Sequence, residues 1–119
     1  MTKHVHTARA DDTLESVAKI MRRNNVGSVV IVDEQGKCAG ILTERDFVRF
    51  LAENVPGTAR VSEHMTLEPV AVNELATINE AKNIMATHRV RHLPVTDKDG
   101  RVVGMISVRD IYERMELFP

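Results

Sequence analysis

The sequence predicts an α/β fold: two copies of one strand-helix-strand-strand-helix unit, packed through their sheets into a single module. Three observations predict it. The chain matches itself at a shift of 64 residues. Helix-period and strand-period apolar patterns follow each other in the same order in both halves. Finally, 119 residues suffice for one real core, where a single copy of roughly 55 residues struggles to close its own.

The duplication fixes the register of everything else. Thr13 to Phe47 aligns without a gap on Thr77 to Ile111, and nine of the 35 pairs are identical: Thr13/Thr77, Ile20/Ile84, Met21/Met85, Val26/Val90, Asp33/Asp97, Gly36/Gly100, Gly40/Gly104, Arg45/Arg109 and Asp46/Asp110. Ile31/Val95, Lys37/Arg101, Leu42/Ile106 and Thr43/Ser107 keep their chemistry. Chance readily matches apolar residues to each other. Two turn glycines and an Arg-Asp pair in one register point to a true duplication.

Short strands are expected near Val5 to Ala8 and Val70 to Val72. Leu14, Val17, Ala18 and Met21 fall on one helical face, and Ile78, Ala81 and Met85 repeat it. Asp12 stands three residues before Glu15, and Thr77 three before Glu80. At that spacing a side-chain acceptor satisfies an orphan amide while the acid reaches back. Apolar runs at Ser28 to Val32 and Leu93 to Val95, polar turns holding Gly36 and Gly100, and apolar runs at Cys38 to Leu42 and Val102 to Ile106 make one hairpin per copy. The last helices run from Glu44 to about Leu51 and from Val108 to about Met115. Pro56-Gly57, inside Asn54 to Thr58, cannot continue a helix and marks the linker. Val61 to Met65 reads as a short helical entry into the second copy. The copies are bounded at 3–53 and 61–116, with 54–60 between them.

Sixteen basic against seventeen acidic residues leave a net charge of -1, so no global field draws the chain to nucleic acid or an anionic membrane. Aromatics at 3% supply no row of stacking platforms for single strands. Cys38 is the only cysteine and lacks the spacing of a zinc site, which fits a reducing, cytoplasmic setting. Met1 to Thr13 has no apolar signal-peptide core, and no run reaches membrane-spanning length. His4 and His6 share a face of an extended segment, but two ligands near a terminus do not make a metal site, and no metal is expected.

Particular words carry a family resemblance. Gly40-Ile41-Leu42-Thr43-Glu44-Arg45-Asp46 and Gly104-Met105-Ile106-Ser107-Val108-Arg109-Asp110 share one pattern: glycine and apolar residues, then Thr or Ser, two variable positions and Asp. Val90-Arg91-His92-Leu93-Pro94-Val95-Thr96-Asp97 and Val61-Ser62-Glu63-His64-Met65-Thr66 add to it. With the element order, these words resemble a tandem pair of CBS motifs, a Bateman module, over about residues 3 to 116. The first copy departs from the pattern, with Gly27-Ser28-Val29-Val30 in place of Arg91-His92-Leu93-Pro94.

An Asp three residues after a Thr or Ser at a helix start lies at the amide-rich, partly positive end, which suits phosphate. The resemblance implies that Asp46 and Asp110 accept hydrogen bonds from ribose hydroxyls, and that Thr43 and Ser107 help hold the phosphate side. An ionised carboxylate only accepts, so it matches a diol. The same pairs are equally ordinary caps that stabilise a helix with no ligand present. Arg45 and Arg109 oppose the helix dipole, so they serve either an anion or a surface salt bridge. Arg91 and His92, read as strand neighbours, point to opposite faces, and the resemblance gives both a phosphate role. It places Val26, Ile41, Val90 and Met105 around adenine, against the alternative of plain core packing.

The expectation is therefore a regulatory module, not an enzyme, that binds an adenine nucleotide such as AMP, ADP or ATP and acts on a partner protein in trans. No P-loop, metal-spaced His and acid pair, or nucleophile with an evident base is present. The resemblance extends to the regulatory parts of inosine monophosphate dehydrogenase and AMP-activated kinase. The competing readings are a ligand-free dimerisation or interaction module, and a binder of S-adenosylmethionine or NAD. A homodimer is expected because Phe47, Val48, Phe50, Leu51, Ile111 and Met115 make the last helices more apolar than one core needs.

Overall fold

The computed structural model describes residues 5–111. The elements run β1 (Thr7–Ala8), α1 (Leu14–Asn24), β2 (Ser28–Val32), β3 (Cys38–Thr43), α2 (Glu44–Ala52), a 3-10 turn (Val61–Glu63), β4 (Thr66–Leu67), β5 (Val72–Asn73), α3 (Ile78–His88), β6 (His92–Thr96) and β7 (Val102–Ser107). Residues 108–111 are again helical. This is the duplicated α/β order that the sequence predicts, and the described residues fall into two compact units, His6–Pro69 and those from Val70 onward.

In the first unit the sheet order is β1-β2-β3-β4, with β1 parallel to β2 and the other pairs antiparallel. Strand alternation sends Val29, Ile31 and Leu42 to one face, where they bury Leu14, Val17 and Met21 of α1 and Phe50 of α2. The second unit orders its sheet β5-β6-β7 and buries Leu93, Val95 and Ile106 against Ala81 and Met85 of α3 and against Ile111. Both hairpin turns are held by an aspartate. Asp33 Oδ1 accepts from the amides of Gln35 and Lys37 at 2.8 and 3.0 Å, and Asp97 Oδ1 from those of Asp99 and Arg101 at 2.9 and 3.0 Å. Gly36 and Gly100 close these turns at φ +79° and +83°, where a side chain would be strained.

The Thr77–Glu80 capping box forms as expected, with Glu80 N donating to Thr77 Oγ1 at 3.1 Å and Thr77 N to Glu80 Oε2 at 3.4 Å. The start of α1 differs. Its cap is Thr13, which accepts from Ser16 N at 3.2 Å, whereas the Asp12 carboxylate accepts from Arg9 N at 2.8 Å. Asp12 lies one residue too early, and its carbonyl is already taken by Val61 N at 2.8 Å. The linker completes this cap, since Leu14 N and Glu15 N donate to Ala59 O and Gly57 O at 3.0 and 2.9 Å. Ile78, expected on a buried face, is 37% exposed, because the start of α3 has no such cover among the described residues.

Two further expectations are corrected and one is met. β1 opens at Thr7 rather than Val5 and β5 at Val72 rather than Val70, and β5 starts one register position later than β1 because Val30 N reaches His6 O at 3.2 Å but Pro94, its counterpart, has no N–H to give. Val61 to Met65 opens as the expected short helical entry, a 3-10 turn over Val61–Glu63, and packs with the first unit. Val61 is fully buried in that core, and β4 pairs with β3. Gly40 admits this crossing strand, since a Cβ there would sit 2.6 Å from Met65 Sδ and 2.9 Å from Thr66 O. Lastly, Phe50 and Ile111 are core residues and Phe47 packs on the core edge, so Val48 and Leu51, 70% and 82% exposed, are the outward apolar residues of α2. Met115 and His4 lie outside the described residues. Among the described residues, no helix is long and apolar enough to cross a membrane.

Candidate functional site

Each unit carries the same junction, where the last strand of the hairpin turns into a helix. At the first, Thr43 is the cap of α2 in extended backbone, and Thr43 N donates to Asp46 Oδ2 at 2.9 Å. The Thr43 hydroxyl donates to the same oxygen at 3.2 Å. At the second, Ser107 N donates to Asp110 Oδ2 at 2.8 Å, and Asp110 N to Ser107 Oγ at 3.2 Å. The capping alternative is thus real at both junctions. It also orients each carboxylate: one oxygen is fixed by main chain, and unused lone pairs remain on both.

The preceding segment braces each junction. Glu44 N donates to Gly27 O at 3.1 Å, and Val108 N to Arg91 O at 2.9 Å. The antiparallel register then sets Ser28 opposite Thr43 and His92 opposite Ser107, with Val30–Ile41 and Pro94–Met105 as the next pairs on the same face. This face is the reverse of the one packed on the helices, and Ile41 and Met105 are 7% and 8% exposed on it.

The structure therefore brings Thr43, Asp46 and Ile41 together in the first unit, and Ser107, Asp110, His92 and Met105 in the second. Val26 and Val90 are half-buried and pack on the helical cores, each amide donating to the carbonyl of Met21 or Met85 at 3.1 Å. Arg45 and Arg109 are exposed beside their acids. Arg91 is exposed and precedes β6, which begins at His92, so strand alternation does not govern its direction. Cys38, half-buried in β3, has its thiol pushed up by burial, which disfavours the thiolate.

Sequence reading missed Arg49, whose Nη2 lies 3.6 Å from Asp46 Oδ1. The spacing of three on α2 is a visible signal for such a pair. Also missed was the bracing role of the Gly27 and Arg91 carbonyls, which no side-chain pattern marks.

The CBS domain family model matches residues 1–53 and 61–117. The chain belongs to the CBS-domain family. This CBS pair is 36% identical over 112 residues to the CBS domain-containing protein YhcV of Bacillus subtilis, a match covering 93% of this chain and 79% of that one. Among solved structures it is similar to the CBS domain pair of protein MJ0100 in complex with 5-methylthioadenosine and S-adenosyl-L-methionine, with TM-score 0.93, 28% identity, and coverage of 100% of this chain and 94% of that chain. It is also similar to the cytosolic domain of the Mg2+ channel MgtE in complex with ATP, with TM-score 0.82, 29% identity, and coverage of 96% and 46%.

Proposed function

We propose that this CBS pair is a regulatory module that binds an adenine nucleotide of the AMP, ADP or ATP type and passes its occupancy to a partner protein in trans. One observation carries the reading. At both junctions a carboxylate, Asp46 or Asp110, is held by a main-chain amide with acceptor capacity to spare. A ribose diol has two hydrogens to donate to it. Because the acid is already oriented, little entropy is lost on binding.

The other roles follow from placement. Ile41 and Met105 offer apolar surface to adenine on the face that carries Thr43 and Ser107, with Val26 and Val90 at its margin. Arg91 and Arg109 in the second copy, and Arg45 in the first, are the cations for phosphate, and His92 is a further hydrogen-bonding group for it. The ligands named for the MJ0100 and MgtE domains, S-adenosyl-L-methionine, 5-methylthioadenosine and ATP, share an adenosine moiety, which supports the reading. The module works in the cytoplasm as a homodimer, with Val48 and Leu51 on the pairing face, and turns over no nucleotide.

Calorimetry with adenosine, AMP and ATP on wild type, Asp46→Ala and Asp110→Ala tests it. Binding of all three ligands, weakened by at least one of the two substitutions for adenosine and nucleotides alike, is expected. No binding by any of the three, or hydrolysis of ATP by the pure protein, overturns it. A second reading, a phosphate-free adenosyl ligand such as S-adenosylmethionine, is favoured by the MJ0100 complex. It would bind more tightly than AMP and be indifferent to Arg91→Ala.

A further inference from the structure

The two oxygens of Asp46 have different duties. Oδ2 accepts from Thr43 N at 2.9 Å and from the Thr43 hydroxyl at 3.2 Å. Oδ1 faces the guanidinium of Arg49, 3.6 Å away. Arg49 Cζ is also 5.2 Å from the centroid of the Phe50 ring, so the cation is steadied from a second side. The Asp46 side chain is 14% exposed and that of Arg49 53%, which makes the pair wet on one side and open to displacement. At the second junction the same cap is built on Asp110, but the 64-residue register puts Glu113 where Arg49 stands. One junction has a resident counter-ion in reach of its acid. The other has an acidic residue at the matching position in the sequence.

We infer that Arg49 is a specificity-determining residue of the first junction: it holds Asp46 partly neutralised, so that this junction takes a nucleoside more weakly than the second and with a salt-dependent affinity. The inference rests on the reading that Asp46 and Asp110 receive ribose hydroxyls. A hydroxyl donating to Oδ1 must share that oxygen with the guanidinium, and a carboxylate already spending its charge on a cation is the poorer acceptor for a neutral donor. Because the pair is half-exposed, its effect is a graded brake and not a lock.

Adenosine is the right probe, since it is uncharged and adds no attraction of its own to Arg49. Amide signals of the Thr43–Asp46 and Ser107–Asp110 segments in the nitrogen-15-labelled protein report the two junctions separately during one titration. Arg49→Gln is expected to tighten adenosine at the first junction by roughly two- to five-fold, the range of an exposed ion pair. Arg49→Lys, which restores the charge, brings the affinity back toward wild type, and in an Asp46→Ala background Arg49→Gln changes nothing. In the unmutated protein, raising NaCl from about 50 mM to about 500 mM screens the pair and tightens the first junction alone. An unchanged or weakened first junction in Arg49→Gln, or no salt response there, overturns the inference while leaving the ribose reading intact. Adenosine that moves neither segment, or that binds undiminished with both acids replaced by alanine, sinks the ribose reading and this inference together.

Discussion

In the first unit the linker and the opening residues of the second copy form much of the scaffold: Gly57 and Ala59 carbonyls cap α1, Val61 fills the core, and β4 adds an edge to the sheet. In the second unit, Pro94 removes a donor from the central strand, and the parallel pairing begins one residue late. Yet the strand-to-helix junctions are alike down to the amide that donates to the carbonyl of Gly27 or Arg91. At that position the structural duty falls on the main chain. Its side chain is therefore free to differ, and glycine in one copy and arginine in the other are both compatible with the junction.

The strongest way to break the comparison is at Phe50, which is 4% exposed and meets Phe47 and His64 edge-on, each at 5.4 Å between centroids. The register pairs it with Arg114, so the sequence places no aromatic side chain at the matching position of the second copy. Phe50→Ala is expected to cost about 3–5 kcal/mol, read as a lower midpoint in urea. Gly40→Ala comes next. The new methyl meets the backbone oxygen of Thr66 at 2.9 Å, and backbone does not yield as a side-chain tip does. A loss of about 1–3 kcal/mol is expected, with exchange protection lost first at Thr66 and Leu67.

Arg91→Ala sharpens the comparison on the ligand side. On the proposed function, the exposed arginine of the second copy is placed to give phosphate a charge-assisted bond that Gly27 cannot. Loss of AMP affinity by roughly ten-fold, about 1.4 kcal/mol, is expected by calorimetry, with adenosine nearly unaffected. Equal losses for both ligands would mean that Arg91 shapes the junction rather than meeting phosphate. The reciprocal Gly27→Arg should raise AMP affinity in the first copy.

The duplication, the hairpins and the two helix-start acids were legible in the sequence because each rests on a local signal: a turn glycine, an alternation of apolar residues, a hydroxyl three positions before an acid. Thr77 and Glu80 were legible for the same reason. Asp12 misled because the spacing rule fits Asp12 and Glu15, whereas three residues after Thr13 stands Ser16, and the Asp12 carbonyl is instead taken by Val61 N, 49 residues away in the chain. The packing of 61–67 onto the first unit was equally invisible, since it depends on room left by Gly40 on another strand. Phe50 reads as a surplus apolar residue until the fold shows that His64 returns to meet it.

The smallest expected effect lies in the hairpin turn of the first unit. Asp33 Oδ1 accepts amides from Lys37 and Gln35, and those bonds, in that order, hold its carboxyl below the usual carboxylate range. A folded-state pKa lowered in this way means that the ionised form is favoured by folding. Its contribution is complete above the ordinary carboxylate pKa of the unfolded chain, and it is lost as pH falls through the lower folded value. The substitution Asp33→Asn keeps a side-chain oxygen that can accept the same amides but leaves no charge to titrate. Wild type should therefore melt slightly higher than Asp33→Asn at neutral pH, and the gap should close on acidification from about pH 7 to about pH 3 as the aspartate is protonated. Thermal melts of the two proteins across that series check it. A gap that stays constant would show that the turn depends on the shape of the side chain alone, and one that widens in acid would contradict the assigned cause.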